Sequence, residues 1–254
     1  MRIKASGLKV RFCTNESQAT RHKFVGFDIS VNEVFSPAPA ACKILKDSGL
    51  RPHLLVYDEV VTEFANVDKS NLNCVVVGDA ADNFSYKNVN EAFRVLIGLE
   101  KPALISLGRG RYCKETDGLK LDVGVYMKAL ACPVSQYACD IEAEVVGKPA
   151  KMFFQSALAD MDVEPHQAIM IGDDLVNDVG GAQQCRMKAL QVRMGKYSQF
   201  PKLSKMNMSI SNYTAENLQR QYRPSDEKHP TVKADGYVNN LAEAVDRILK
   251  HLGE

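Results

Sequence analysis

No apolar run in this 254-residue sequence approaches the ~20 residues that a membrane-crossing helix needs. The opening MRIKASGLKVRF lacks the apolar centre and small-residue cleavage site of a secretory signal. The seven cysteines are an odd number and contain no CxxC pair, which argues for reduced thiols rather than a disulfide framework or a zinc site. The five histidines are scattered and show no metal-ligand spacing. Charge of one sign is missing too, since 32 Lys and Arg almost cancel 31 Asp and Glu and no basic tract stands out. No broad field therefore draws the chain to nucleic acid or to an anionic membrane, so any anionic ligand must be met by a local site. Together these absences predict a soluble, intracellular protein.

What is present is an ordinary globular composition, 45% hydrophobic and 25% charged, enough for one large core or two smaller ones. Strand-length apolar runs alternate with segments of helical period, the pattern of an α/β fold. LKVRFC (8–13) predicts a buried strand followed by Thr14 and Asn15. PAPAACKILKDSGL predicts a helix capped by Ser36, entered through proline and closed at Gly49. HLLVY, CVVVG and ALISLG predict strands, with a helix near NVNEAFRVLIGLE. AEVVGKP opens a last strand–helix series through AKMFFQSALADM, AIMIGDD and ALQVRM, and Asn240 can cap a final helix LAEAVDRILKHL. Residues of about 196–223 are polar and rich in Ser, Asn and Gln, which reads as a loop or disordered insertion.

Three local patterns can carry chemistry. In IMIGDDLVND an apolar run ends in Gly172, Asp173 and Asp174, with Asp178 following. Carboxylates leaving a strand at its carboxyl end can hold Mg²⁺ through oxygen, and Asp is equally a helix cap. In VVGKP, Lys148 leaves a strand just before a proline. Such a lysine can meet phosphate as a point charge, or be a solvated turn residue. In VRFCTNES, Thr14 and Asn15 can cradle an oxyanion or cap a helix.

Taken in order, strand-Thr-Asn, then strand-Gly-Lys-Pro, then strand-Gly-Asp-Asp-x-x-x-Asp resembles motifs two to four of the haloacid dehalogenase superfamily. The resemblance extends over most of the chain through CVVV, FSYKN, ISLG, EVVGKP, IGDD, RPSDE and KADGYV. It implies a Rossmannoid core with an inserted α/β cap domain, divided as 1–33 core, 34–142 cap and 143–254 core. It also implies a Mg²⁺-dependent phosphatase that works through an aspartyl-phosphate on phosphohistidine, phospholysine or pyrophosphate. By position, Thr14, Asn15 and Lys148 would bind the phosphoryl group, with Lys148 acting in catalysis and Asp173 ligating the metal. Asp178 matches a second acid that could position Lys148 or a metal-bound water. Partners implied are small phosphorylated substrates, phosphohistidine proteins and a second copy in a homodimer, in cytoplasm with the nucleus as a further location.

One part of the pattern is absent. In the family an aspartate nucleophile ends a strand that precedes the threonine motif, and residues 1–13 here contain no aspartate. GFDISV supplies a look-alike in Asp28, but after Thr14 and with too short a link for a crossover to a central strand. Loss of a central strand, about five buried side chains at roughly 1.5–3 kcal/mol each, removes on the order of 10 kcal/mol. Whole domains are stable by only about 5–15 kcal/mol. The expectation is a family phosphatase inactive as this chain, its core half weak and its cap able to fold alone. The alternative is a non-catalytic phosphate-binding or interaction protein.

Overall fold

The structure, a computed structural model, describes residues 2–24, 29–115, 118–131, 141–193 and 224–253. Asp28 and the polar segment 196–223 lie outside the described residues. The chain divides into two compact units. One joins Met1–Val10, with its short helix α1 (Arg2–Ala5), to Phe154–Glu254, and the other is Arg11–Phe153.

In the unit Arg11–Phe153, β1 (Phe12–Cys13) pairs in parallel with β2 (Val34–Phe35). Helix α2 (Pro37–Asp47) starts where extended Ser36 precedes a proline already set at a helical φ, and Gly49 turns the chain away at φ +64°. Its buried Ala38, Ala41 and Leu45 recur at helical spacing and give it one apolar face. β3 (Pro52–Leu55), β4 (Cys74–Val77), helix α3 (Tyr86–Ile97) and β5 (Leu104–Ser106) follow. After them come an antiparallel hairpin, β6 (Tyr112–Glu115) with β7 (Gly118–Leu121), helix α4 (Val123–Leu130) and β8 (Ala143–Val145).

The main sheet of this unit is parallel in the order β3-β4-β5-β8. Alternation along its strands fills two cores. Cys74, Val76 and Ile105 pack with α2 and Phe64, while Val75, Val77 and Leu104 pack with Ala92, Leu96 and Met127. Cover on both faces is why CVVV reads as an unbroken apolar run. Each of its three valines has 0% exposure, and burying each contributes roughly 1.5–3 kcal/mol.

The other unit takes helix α5 (Lys151–Met161) from Phe154 onward, β9 (Ile169–Gly172), a π-helical turn Leu175–Gly180 and helix α6 (Gly181–Gln184). β10 (Lys188–Val192), β11 (Gly236–Val238) and helix α7 (Leu241–Leu252) complete it. The sheet is parallel in the order β11-β10-β9 over a core of Phe154, Leu175, Val179, Ala182 and Ala189. Asn240 caps α7 by accepting from the Glu243 N–H at 2.9 Å.

Sequence and structure differ in several places. The strand expected over 8–13 is reduced to Phe12–Cys13, because among the described residues β1 has the two residues of β2 as its single ladder partner. Arg2–Ala5 is helical instead. The AEVVGKP strand hydrogen-bonds to β5, so it extends the sheet of the middle block. Among the described residues no helix is long and apolar enough to cross a membrane.

Among the described residues β9 has a single sheet neighbour, β10, and its four residues stay partly or largely exposed. β4 is paired on both sides and buried throughout. Amide protons of Cys74–Val77 are therefore expected to exchange at least about tenfold more slowly than those of Ile169–Gly172. Hydrogen exchange read by mass spectrometry or NMR checks this, and equal protection would contradict it.

Candidate functional site

The turn after β1 and the turn after β8 meet within the unit Arg11–Phe153. Thr14 donates its N–H to the Phe35 carbonyl at 2.9 Å, and its hydroxyl oxygen accepts from the Glu16 N–H at 3.0 Å. A hydroxyl that accepts in this way still carries a proton that it can donate to an oxyanion. Asn15 reaches the second turn. Its Oδ1 accepts from the Lys148 N–H at 2.8 Å and its Nδ2 donates to the Lys148 carbonyl at 2.9 Å. The Lys148 ammonium donates to the Cys13 carbonyl at 2.9 Å, and the residue is only 8% exposed. Thr14, Asn15 and Lys148, selected from sequence, are thus brought together.

Two features of this unit were not selected from sequence. A Cβ on Gly147 would fall 2.8 Å from both Asn15 Oδ1 and the Leu107 carbonyl, so glycine is what lets the Asn15 amide approach the turn. The GKP motif carried that signal in its first letter. Buried Asp79, at the carboxyl end of β4, accepts from Gln18 Nε2 at 2.8 Å, and its N–H donates to Ser17 Oγ at 3.4 Å. Nothing in the local sequence pairs Gln18 with a residue 61 positions away.

The acidic residues follow β9 in the other unit. Asp174 caps the turn Leu175–Gly180, accepting from the Val176 N–H at 2.9 Å and the Asn177 N–H at 2.8 Å. Capping and metal binding were both open for this motif, and for Asp174 the described contacts are those of a cap. Asp178 is buried and lies over Gly172, where a Cβ would come within 2.5 Å of its carboxyl carbon. Its Oδ2 accepts from the Asp174 N–H at 3.3 Å. Behind Asp173, Gln191 Nε2 donates at 3.4 Å to the Asp173 carbonyl and at 3.4 Å to the carboxylate of buried Asp226. Sequence reading missed Gln191 and Asp226, and a glutamine inside the apolar ALQVR strand was the signal.

Among the described residues no three His, Cys, Asp or Glu are arranged to hold a metal ion. The donors near Asp173 are carboxylate oxygens, the type Mg²⁺ prefers. Mg²⁺ is commonly held by one or two carboxylates with waters and substrate phosphate making up the rest, so this set fits it.

The Thr-Asn and Gly-Lys-Pro turns of one unit offer groups that can meet an oxyanion, and the Asp-Asp turn of the other offers carboxylates, the chemistry of a phosphoryl-transfer hydrolase. The sequence profile of the HAD-hydrolase-like family matches residues 145–244. A protein of Danio rerio named phospholysine phosphohistidine inorganic pyrophosphate phosphatase is 59% identical over 254 residues, covering 98% of this chain and 83% of that protein. Its namesake in Homo sapiens is 59% identical over 256 residues, covering 98% of this chain and 84% of that protein. The solved structure of a p-nitrophenyl phosphatase from Archaeoglobus fulgidus shares the fold, with a TM-score of 0.75 and 19% identity over 97% of this chain and 88% of that one. The chain belongs to the haloacid dehalogenase-like hydrolase family. Within it, the chain closely resembles the phospholysine phosphohistidine inorganic pyrophosphate phosphatases.

Burial lifts the Asp174 carboxyl from its ordinary 3.8 to about 6, against the lowering effect of its bonds from Asn177. The folded chain therefore holds this proton more tightly than the unfolded chain, and the contribution of Asp174 to stability falls as pH rises from about 4 through about 6. Asp174→Asn keeps a capping oxygen and removes the titration. Its denaturation midpoint, measured with chelator present, is expected to gain on the parent at about pH 7 relative to about pH 4.5. Asp174→Ala, which loses the cap, is expected to be about 1 kcal/mol less stable than Asp174→Asn at about pH 7.

Proposed function

We propose that this chain carries the substrate and metal determinants of a Mg²⁺-dependent phosphohydrolase acting on phosphohistidine, phospholysine and inorganic pyrophosphate. The observation that supports it is the Lys148 ammonium, drawn to the Cys13 carbonyl immediately before Thr14. In this reading the Thr14 hydroxyl donates to a phosphoryl oxygen and Lys148 offsets its charge. Asp173 holds the metal, with Asp178 fixing the turn through the Asp174 N–H. Bound Mg²⁺ supplies neutralisation of phosphoryl charge, and phosphoryl transfer depends mainly on such neutralisation and on in-line placement. Residues 34–142 act as the cap that selects the leaving group. A homodimer in cytoplasm and nucleus belongs to the same reading, on the strength of the resemblance alone.

Attack on phosphorus to form an aspartyl-phosphate needs a carboxylate placed opposite the leaving group. No aspartate or glutamate precedes Thr14 in these 254 residues. Loss of a nucleophile commonly costs about 10⁴-fold or more in kcat, so we assign the 254-residue polypeptide by itself no turnover. A second reading, a non-catalytic phosphate binder, is favoured by the same geometry, because the Thr14 hydroxyl and Lys148 need no nucleophile to hold an anion.

The purified chain is expected to release no phosphate from imidodiphosphate with Mg²⁺, measured against a heat-inactivated control. Mg²⁺-dependent release would overturn the assignment of inactivity. Fusion of an upstream apolar segment ending in Asp-Ile-Ser-Gly is expected to restore release, and failure of that fusion would count for the binding reading.

A further inference from the structure

The geometry points to the Asn15 side chain as a positioning group that sets Lys148 and acts on a bound anion through that lysine. This rests on the reading of Thr14 and Lys148 as an oxyanion site, and changes the part that Asn15 plays in it.

A carboxamide has one acceptor oxygen and two N–H donors. Asn15 commits its oxygen to the Lys148 N–H at 2.8 Å and one donor to the Lys148 carbonyl at 2.9 Å. Both bonds go to the backbone of one residue, so they fix its orientation as well as its place, as a paired residue on a neighbouring strand would. The partners also settle which end of the amide is oxygen, since a flipped amide would set N–H against N–H. Gly147 leaves room for this approach, as a Cβ there would fall 2.8 Å from Asn15 Oδ1. The far end of Lys148 returns to the same segment, its ammonium donating to the Cys13 carbonyl at 2.9 Å. Residues 13–15 therefore hold Lys148 at its backbone and at its charge. An amide engaged in this way acts on an anion through the lysine.

A double-mutant cycle separates the two roles, because residues acting through one another give non-additive effects. Binding of inorganic phosphate is measured by calorimetry for the parent chain, Asn15→Ala, Lys148→Met and the double variant. Positioning predicts that Asn15→Ala weakens phosphate by about tenfold in the parent and by less than about twofold in the Lys148→Met background. An equal loss in both backgrounds would mean direct contact and overturn the proposal. The ¹⁵Nζ resonance of Lys148 supplies a readout that needs no phosphate. It is expected to move in Asn15→Ala, and an unmoved resonance overturns the proposal. If the parent chain binds no phosphate, the oxyanion reading fails, while the Lys148 resonance still decides whether Asn15 positions the lysine. Should Asn15→Ala not fold, Asn15→Ser, which is uncharged and too short to bond both backbone groups of Lys148, takes its place in both measurements.

Discussion

A lysine ammonium removed from water must be given oxygen partners, and Lys148 is the place where this chain meets that demand. A buried, unsatisfied charge costs several kcal/mol, comparable with the whole stability of a domain. The Cys13 carbonyl is one partner, and the Asn15 amide fastens the lysine backbone so that the ammonium can reach it. The glycine at 147 and the Thr-Asn sequence are therefore parts of one solution. Any side chain at 147 would push the amide away.

The same logic of strand ends organises the acidic turn. β9 stops at Gly172, where the Asp178 carboxylate occupies the space of a missing side chain and takes the Asp174 N–H. Asp174 then turns its own oxygens to the helical turn that follows. Two adjacent aspartates thus divide their work. One caps, and Asp173 is left with its backbone carbonyl anchored by Gln191. Partial burial raises the proton affinity of the capping acid.

Much of this was legible in the sequence because short-range rules govern it. The proline after Ser36 and the glycine at 49 bracket α2, and Asn240 opens α7, because caps and breakers act within one helical turn. CVVV declares a doubly covered strand by composition alone. LKVRFC misleads for the opposite reason. Its apolar run is adequate for a strand, but a strand also requires a partner of equal length, and β2 offers Val34 and Phe35 only. Gln18 with Asp79 and Gln191 with Asp226 were equally invisible, since each bond joins residues far apart in the chain.

By itself the sequence determined the α/β class, the order of the Thr-Asn, Lys and Asp-Asp motifs, and hence the family. Residue type and spacing are enough to state which chemistry each turn can offer. Only the tertiary structure decided how those residues share their hydrogen bonds: that Asn15 faces the Lys148 backbone, that Asp174 caps, and that the 143–145 strand joins the sheet of the middle block. A polar side chain has several partners within reach of its chemistry. The choice among them is made by which backbone groups the packed strands leave unpaired beside it.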